Sequence, residues 1–288
     1  MSAETAGAWL AKGEKYLTDR GVPEPKANAE FLMAEMLGTG RLNAVANPGR
    51  GLSVKETHQY WTWIKERGKR RPLAYILGTQ PFLGIKIKVN RDSLVPRPET
   101  EELVLECERI VKEAGVGAPK ILEIGTGTGC IAVALAQLLP AATVFATDVS
   151  TQALELAQKN AIDHHVGNRI RFVKENLFSD KQGLRGWADL LVSNPPYIPT
   201  KDLADLEPEV KCEPVLALDG GKDGLDAVRA IAAMAPKMLK PGGALALEIG
   251  SEQGPAVHKL LTHMKLSGVS IKKDAQGLDR FAFAFLPK

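Results

Sequence analysis

A glycine-rich loop between an apolar strand and an apolar helix most narrows the folds open to this chain. Residues 120–124 predict a buried strand, residues 125–129 read Gly-Thr-Gly-Thr-Gly, and a helix is predicted from Cys130 through Leu139. Glycines allow the backbone to approach a ligand closely at a helix N-terminus. This order of elements is typical of the first unit of a doubly wound α/β sheet.

The loop differs from the one that binds dinucleotides. If Gly125 and Gly127 are the first two glycines of that pattern, its third position holds Cys130. Glu123, just before the loop, suits a cationic or zwitterionic ligand better than a pyrophosphate. We therefore expect a different nucleoside-containing ligand.

Two later strands end in residues suited to a nucleoside. Residues 143–148 form a predicted strand that ends in Asp148, an acid placed to receive the two hydroxyls of a ribose. A third strand, residues 170–173, leads to Asn176, Leu177 and Phe178. A polar side chain followed by apolar ones could hold the edge and the face of an adenine ring.

Two consecutive prolines end a further predicted strand, residues 187–193. Pro195 and Pro196 lack a backbone donor and fix φ, and Asn194, as the residue before a proline, is driven to an extended conformation. The resulting stiff loop projects Asn194 and Tyr197 beyond the carboxyl end of a buried strand. On its own, this motif also fits a turn that merely ends a strand.

This loop matches the needs of alkylation at a planar nitrogen. Such a nitrogen is a poor nucleophile because its lone pair is delocalised into the neighbouring π-system. The side-chain oxygen of Asn194 and the carbonyl of Pro195 could accept both hydrogens of an amide and localise that lone pair. Tyr197 would then stack on the planar group and fix its orientation.

The front of the chain follows a different pattern. Residues 1–78 show helical spacing of apolar residues, and Ser53 with Glu56 predicts a capping box. Residues 79–96 predict a β-hairpin linker that turns at Leu83-Gly84, and residues 97–288 predict the α/β domain. Because the front domain holds no catalytic constellation, we expect it to dock a partner, with a purely structural cap as the alternative.

Charge and cysteine content restrict the partners and the compartment. The formal net charge of +3 divides into +6 over residues 1–90 and −3 over residues 91–288. The three widely separated cysteines lack metal-ligand spacing and favour a reducing, cytoplasmic setting. No signal-peptide pattern opens the chain and no apolar run is long enough to span a membrane. We expect a monomer without a membrane partner.

Taken together, these motifs resemble those of the PrmC/HemK family of class I S-adenosylmethionine-dependent methyltransferases. The resemblance covers essentially the whole chain and includes the glycine loop, Asp148 and the Asn-Pro-Pro-Tyr motif. It is narrowed by three further segments: Val95-Pro96-Arg97-Pro98-Glu99-Thr100, Cys212-Glu213-Pro214 and Asp219-Gly220-Gly221-Lys222-Asp223-Gly224.

The resemblance implies a Rossmann-like domain with a mostly parallel seven-stranded sheet and an antiparallel last strand, preceded by a small helical bundle. It implies transfer of methyl from S-adenosylmethionine, which becomes S-adenosylhomocysteine, to N5 of the glutamine in the Gly-Gly-Gln motif of peptide chain release factors. The cofactor-binding residues that it implies are Gly125, Thr126, Gly127, Thr128, Gly129, Asp148, Asn176, Leu177 and Asn194. The substrate glutamine would be held by Asn194, Pro195, Pro196 and Tyr197, of which Asn194, Pro195 and Tyr197 are the expected catalytic residues.

Two positions depart from the family pattern. Asn176 stands where an acid is expected to contact adenine, and Leu177 stands where an aromatic residue is expected. An asparagine oxygen can still pair with the adenine amino group, so we expect at most weaker cofactor binding. Arg97 is presented rigidly between two prolines, either at the border of the active site or simply at a helix start.

Two other functions stay open. The Asn-Pro-Pro-Tyr motif also occurs in adenine-N6 DNA or RNA methyltransferases, although no second domain rich in basic and aromatic residues is evident, so we expect no direct nucleic-acid binding. A cofactor-binding module without turnover is the third interpretation. Because the sulfonium methyl is already activated, we expect neither a metal site nor a general base.

Overall fold

A computed structural model describes residues 5–175 and 183–288. The chain divides into two compact units, Met1–Thr79 with Glu207–Cys212, and Gln80–Leu206 with Glu213–Lys288. Across the described ranges, no helix has both the length and the apolar character that crossing a membrane requires.

The first unit is a small helical bundle, as predicted. Its core consists of buried apolar side chains, among them Leu17, Leu32, Met33, Tyr60 and Ile64. The predicted capping box is confirmed, because the Ser53 amide donates to the Glu56 carboxylate and the Glu56 amide donates to Ser53 Oγ. The helices are α1 (Ala6–Thr18), α2 (Pro25–Leu37), α3 (Arg41–Ala46), α4 (Val54–Arg67) and α5 (Leu73–Leu77).

The division between the units assigns one later segment of the chain to the front unit. Residues 207–212, predicted within the α/β domain of residues 97–288, group with the front helices. The reason is electrostatic: Glu209 accepts hydrogen bonds from Arg67 at 2.8 Å and from Arg70 Nε at 2.6 Å. These arginines lie at and just after the end of α4, far from Glu209 in sequence, so no local pattern reveals the pairing.

The hairpin turns where predicted. Strands β1 (Thr79–Phe82) and β2 (Ile85–Lys88) flank Leu83 and Gly84, whose φ values of 46° and 78° are those of a tight hairpin turn. It is more than a linker, however, because the Lys88 amide and carbonyl both bond to the Asn160 side chain, at 2.8 and 3.0 Å. From Gln80 onward the hairpin therefore belongs to the second unit.

The second unit alternates strands and helices in the predicted order. Its elements are α6 (Pro98–Glu113), β3 (Lys120–Ile124), α7 (Cys130–Leu138), β4 (Thr143–Asp148), α8 (Thr151–Asp163), β5 (Ile170–Lys174), β6 (Ala188–Ser193), α9 (Asp226–Met238), β7 (Leu239–Glu248), α10 (Gly254–His263), β8 (Ser267–Lys273) and β9 (Asp279–Phe285).

These strands form a seven-stranded sheet in the order β5-β4-β3-β6-β7-β9-β8. Neighbours from β5 to β7 pair in parallel, whereas β9 pairs antiparallel with both β7 and β8. The predicted mostly parallel sheet with an antiparallel last strand is confirmed. Strand order reverses between β3 and β6, and in such sheets a ligand site lies beyond the carboxyl ends of the strands at that reversal.

Candidate active site

A cavity of about 450 Å³ opens at the carboxyl ends of β3, β4 and β6. This volume is in the range of sites for small molecules and cofactors. Further walls come from the loop before α6, from the first turn of α6 and from residues that follow Glu213. The predicted site residues among its lining are Gly125, Thr126, Gly127, Thr128, Asp148, Asn194, Pro195 and Pro196.

Gly129 is a predicted site residue that is not part of the cavity lining among the described residues. Gly129 lies at the start of α7, and its φ of 79° is one that glycine adopts readily. A Cβ at this position would come within 2.9 Å of the Ala157 Cβ, so glycine allows α7 to pack closely on α8. Asn176 and Leu177 lie outside the described residues.

Hydrogen bonds to the end of β4 fix the glycine loop. The amides of Gly125 and Thr126 both donate to the Thr147 carbonyl at 2.9 Å. Gly127, with a φ of 54°, donates its amide to Asp148 Oδ2 at 2.9 Å. Among the described residues, a Cβ at this position would come near only the Ser93 Cβ, at 4.0 Å. The loop therefore leaves room for a ligand directly beside Gly127.

Asp148 is held in a defined orientation at the end of β4. Its Oδ1 accepts from the Ser150 amide at 2.9 Å, while Oδ2 accepts from the Gly127 amide. A carboxylate oxygen has more than one acceptor direction. The group can thus receive further hydrogen bonds from a diol while its position stays fixed.

Glu123 lies fully buried beneath the loop. Its Oε2 accepts from Thr126 Oγ1 at 2.7 Å, and its Oε1 has no hydrogen-bond partner among the described residues. Burial, reinforced by the charge of Asp148, raises the pKa of Glu123 to about 8, although Thr126 opposes the shift. A buried acceptor of this kind favours a proton or a cationic group nearby.

Asn194 is oriented by a chain of hydrogen bonds that the sequence did not reveal. Its Nδ2 donates to Thr100 Oγ1 at 3.0 Å, and Thr100 Oγ1 donates to Glu248 Oε2 at 2.7 Å. The Tyr197 hydroxyl lies 3.5 Å from the other oxygen of the same carboxylate. The structure thus places Tyr197 against Glu248, and among the described residues Tyr197 is not part of the cavity lining.

Glu248 occupies an unusual electrostatic position at the end of β7. Burial raises the pKa of Glu248 to about 7, although hydrogen bonds from Thr100 and Tyr197 and the charge of Arg280 oppose the shift. Burial and the neighbouring carboxylate also raise the pKa of Tyr197 to about 12. The signal in the sequence is one acid closing an apolar strand, the same signal that pointed to Asp148.

The arginine-proline segment and the Glu-Pro segment meet in the structure. Arg97 forms an ion pair with Glu213, whose second oxygen accepts from the Val95 amide at 3.1 Å. Burial raises the pKa of Glu213, and the charge of Arg97 opposes this shift. Their neighbours Pro96 and Pro214 line the cavity, so Arg97 supports its wall through Glu213.

The glycine-rich segment after residue 218 supports the backbone that follows Asn194. A Cβ on Gly224 would lie 2.2 Å from the Tyr197 carbonyl, so only glycine fits at this position. Gln253 Nε2 donates to the carbonyls of both Tyr197 and Gly224 at 3.0 Å. The third segment that narrowed the family resemblance, Asp219–Gly224, therefore supports the loop at Tyr197.

Comparisons with known proteins agree with this architecture. The PrmC N-terminal domain family matches residues 8–78, and the methyltransferase small domain family matches residues 107–206. A release factor glutamine methyltransferase of Geobacter sulfurreducens is 41% identical over 92% of this chain and 91% of its own length. The chain belongs to the release factor glutamine methyltransferase family.

A further relative and a solved structure are also similar to this chain. The release factor glutamine methyltransferase of Deinococcus radiodurans is 37% identical over 96% of both chains. A crystal structure of a methyltransferase from Pyrococcus furiosus is similar in fold, with a TM-score of 0.52 at 23% identity over 72% of this chain and 91% of that one. The family resemblance predicted from the motifs is confirmed.

Proposed function

We propose that this chain transfers the methyl group of S-adenosylmethionine to the N5 side-chain nitrogen of the glutamine in the Gly-Gly-Gln motif of peptide chain release factors. The observation that carries the proposal is the orientation of Asn194 at the cavity. Its Nδ2 is bound to Thr100, which leaves Oδ1 as the atom that can accept a hydrogen bond from a ligand. A substrate amide, with two N–H donors, matches that acceptor.

The residues at the cavity fit the cofactor. Asp148, fixed at the end of β4, suits the ribose hydroxyls, and the open space beside Gly127 suits close approach of the backbone. Glu123 lies fully buried next to the loop, and its Oε1 has no hydrogen-bond partner among the described residues. The rest of the proposed cofactor-binding loop consists of Gly125, Thr126, Thr128 and Gly129. Contacts of Asn176 and Leu177 with adenine stay a prediction.

When bound, S-adenosylmethionine supplies a methyl group activated by its sulfonium and leaves as S-adenosylhomocysteine. The protein's task is then to position the substrate nitrogen and to localise its lone pair. Asn194 Oδ1 and the Pro195 carbonyl would accept the two amide hydrogens, and Pro196 would keep the loop stiff. The nitrogen becomes cationic and acidic as the new C–N bond forms, so water can take its proton.

The contacts of Tyr197 differ from the role that the sequence predicts for it. The sequence predicts that it stacks on the substrate, whereas its hydroxyl lies against Glu248 and its carbonyl is held by Gln253. Both contacts support a role in fixing the loop that presents Asn194. Stacking on the substrate amide stays a prediction.

The partner assignment follows from the family. The curated relatives are named for release factors, and we extend this substrate class to the present chain. The basic front unit would dock the release factor, with the protein acting as a monomer in the cytoplasm and without direct binding to nucleic acid.

Methyl transfer from labelled S-adenosylmethionine tests the function. Three acceptors are offered in parallel: a release factor, the same factor with its Gly-Gly-Gln glutamine changed to alanine, and unmethylated DNA. Label on the first acceptor alone is expected. Label on DNA alone would establish adenine chemistry instead, and cofactor binding without label on any acceptor would favour a binding module.

A further inference from the structure

The most informative group that the mechanism above leaves unused is the buried carboxylate of Glu248. It is 1% exposed and closes a strand whose other residues from Ala244 onward are buried and apolar. Burying a charged carboxylate costs free energy unless hydrogen bonds compensate for the lost hydration or the group keeps its proton. Its two oxygens face the two residues that present the substrate loop, Asn194 through Thr100, and Tyr197 directly.

We infer that Thr100 and Glu248 are positioning residues that set which end of the Asn194 amide faces the substrate. The inference rests on the proposed function and assigns roles within the same site. A threonine hydroxyl has one proton to donate. Because Thr100 donates that proton to Glu248 Oε2, its oxygen can only accept from Asn194, and the Asn194 NH₂ group must turn towards it.

The orientation matters because the two ends of an asparagine amide have nearly the same shape and opposite hydrogen-bonding character. With Nδ2 on Thr100, Oδ1 is the acceptor for a substrate N–H. With the amide reversed, two donors would face each other and the lone pair of the substrate nitrogen would stay delocalised. Asn194 therefore needs a partner that can only accept, and Glu248 gives Thr100 that character.

Protonation of Glu248 removes this control. A carboxylic acid can donate to Thr100 Oγ1, which frees the threonine hydrogen to point at Asn194 and favours the reversed amide. The pKa of Glu248 lies near neutrality, so this change falls in an accessible range. The charged and titratable groups that bear on Glu248 are Glu99 on α6, Tyr197 after β6 and Arg280 on β9, with the buried Cys130 thiol of α7 also within its field.

Three variants distinguish a role of Thr100 in orienting Asn194 from a role in packing alone. Thr100→Val keeps the shape of the 2% exposed side chain and removes the hydroxyl, whereas Thr100→Ser keeps the hydroxyl. Thr57→Val is the matched control, because Thr57 is a 6% exposed threonine of the front unit whose hydroxyl bonds to the Val54 carbonyl. Each variant is assayed with labelled S-adenosylmethionine and a release factor, and cofactor affinity is measured by calorimetry.

We expect Thr100→Val to lower kcat by about tenfold or more, with cofactor Kd unchanged, because Thr100 orients Asn194 and does not itself contact the substrate. Thr100→Ser should recover kcat to within about threefold of wild type, and Thr57→Val should leave it unaltered. If Thr100→Val retains wild-type kcat, the inference is overturned. If wild type itself does not label the Gly-Gly-Gln glutamine, the proposed function fails, and the inference fails with it.

The dependence of kcat on pH is a further test, because a purely structural role of Glu248 would not produce one. In wild type, kcat should fall as the pH decreases through about 7, as Glu248 takes up its proton. Glu248→Gln cannot titrate, so its kcat should be lower than that of wild type at pH 8 and flat across this range. An acid limb that persists unchanged in Glu248→Gln contradicts the inference, even where Thr100→Val fails to fold.

Discussion

The two units each place a glutamate among hydrogen-bonding partners, and they treat its charge in opposite ways. In the front unit, Glu209 accepts from Arg67 and Arg70, and these bonds lower its pKa to about 2 despite the opposing effect of burial. In the methyltransferase unit, burial dominates at Glu248 and raises the pKa to about 7. The first carboxylate stays charged and holds chain segments together, whereas the second can change its charge beside the proposed catalytic loop.

Glu209 and Glu248 differ in whether they bear on the proposed reaction. An ion pair with two arginines fixes residues 207–212 and has no part in the proposed reaction. Glu248 faces the catalytic loop without a direct hydrogen bond to an arginine among the contacts the structure describes. Variants of the front unit should therefore change the free energy of unfolding with little effect on turnover. Variants at Glu248 should change turnover and its pH dependence, together with the pH dependence of stability.

The largest effect is expected at the loop itself. Asn194→Ala should lower kcat about a hundred- to a thousandfold, the usual cost of losing one preorganised transition-state contact. Cofactor affinity should fall far less than kcat, because Asp148 and the glycine loop are untouched. Single-turnover methyl transfer and calorimetric titration measure the two quantities, and an unchanged rate would refute the proposed role of Asn194.

The next effect concerns Glu248 and stability. The pKa of Glu248 is higher in the folded state than in the unfolded state. The contribution of Glu248 to the stability of the folded state is therefore complete below about pH 4.5 and is lost as the pH rises through about 7. The advantage of wild type over Glu248→Gln in free energy of unfolding should therefore shrink between pH 5 and pH 8, by on the order of 3 kcal/mol. Urea unfolding at both pH values measures it, and a difference independent of pH would contradict this account of Glu248.

A smaller effect is expected in the front unit. Glu209→Gln should reduce the free energy of unfolding by about 1–3 kcal/mol near pH 7, because it weakens charge-assisted bonds to Arg67 and Arg70. Since the pKa of Glu209 is lowered, this contribution is present above about pH 4.5 and declines as the pH falls towards 2. Urea unfolding followed by tryptophan fluorescence measures it, because Trp9, Trp61 and Trp63 all lie in this unit.

Glu207→Gln is the matched control for that prediction. The Glu207 side chain is 69% exposed and lies 3.5 Å from Arg70, so its loss should cost about 0.5 kcal/mol or less. Equal effects of the two substitutions would show that the buried pairing of Glu209 is not what stabilises this segment.

The smallest effect is expected at the start of α4. Ser53→Ala removes the capping box and should cost about 1 kcal/mol of stability in the same fluorescence experiment. Saturated turnover should stay within about twofold of wild type, because the cap lies in the front unit. A large loss of kcat would break the proposed separation between stability in one unit and catalysis in the other.

The features that were predictable from the sequence are the local ones. The Ser53–Glu56 cap, the turn at Leu83-Gly84 and the glycine loop each depend on a few adjacent residues, and each is found in the predicted place. The strand ends at Asp148 and Asn194 were predictable because apolar runs stop there. Parallel pairing then brings those ends together.

The features that could not be predicted depend on distant residues. Thr100 lies 94 residues from Asn194 and 148 residues from Glu248, and their contact follows from the packing of α6 against the sheet. The pairing of Glu209 with the end of α4 is equally remote in sequence. Burial also cannot be read from residue type, so neither the raised pKa of Glu248 nor the lowered pKa of Glu209 was foreseeable.

The central claim is that Asn194 presents an acceptor to the glutamine of a release factor. Tandem mass spectrometry of a release factor, incubated with S-adenosylmethionine and either wild type or Asn194→Ala, tests it most directly. One methyl group on the side-chain nitrogen of the Gly-Gly-Gln glutamine is expected with wild type, and almost none with the variant. Methylation at another residue, or equal methylation by the two proteins, would contradict it.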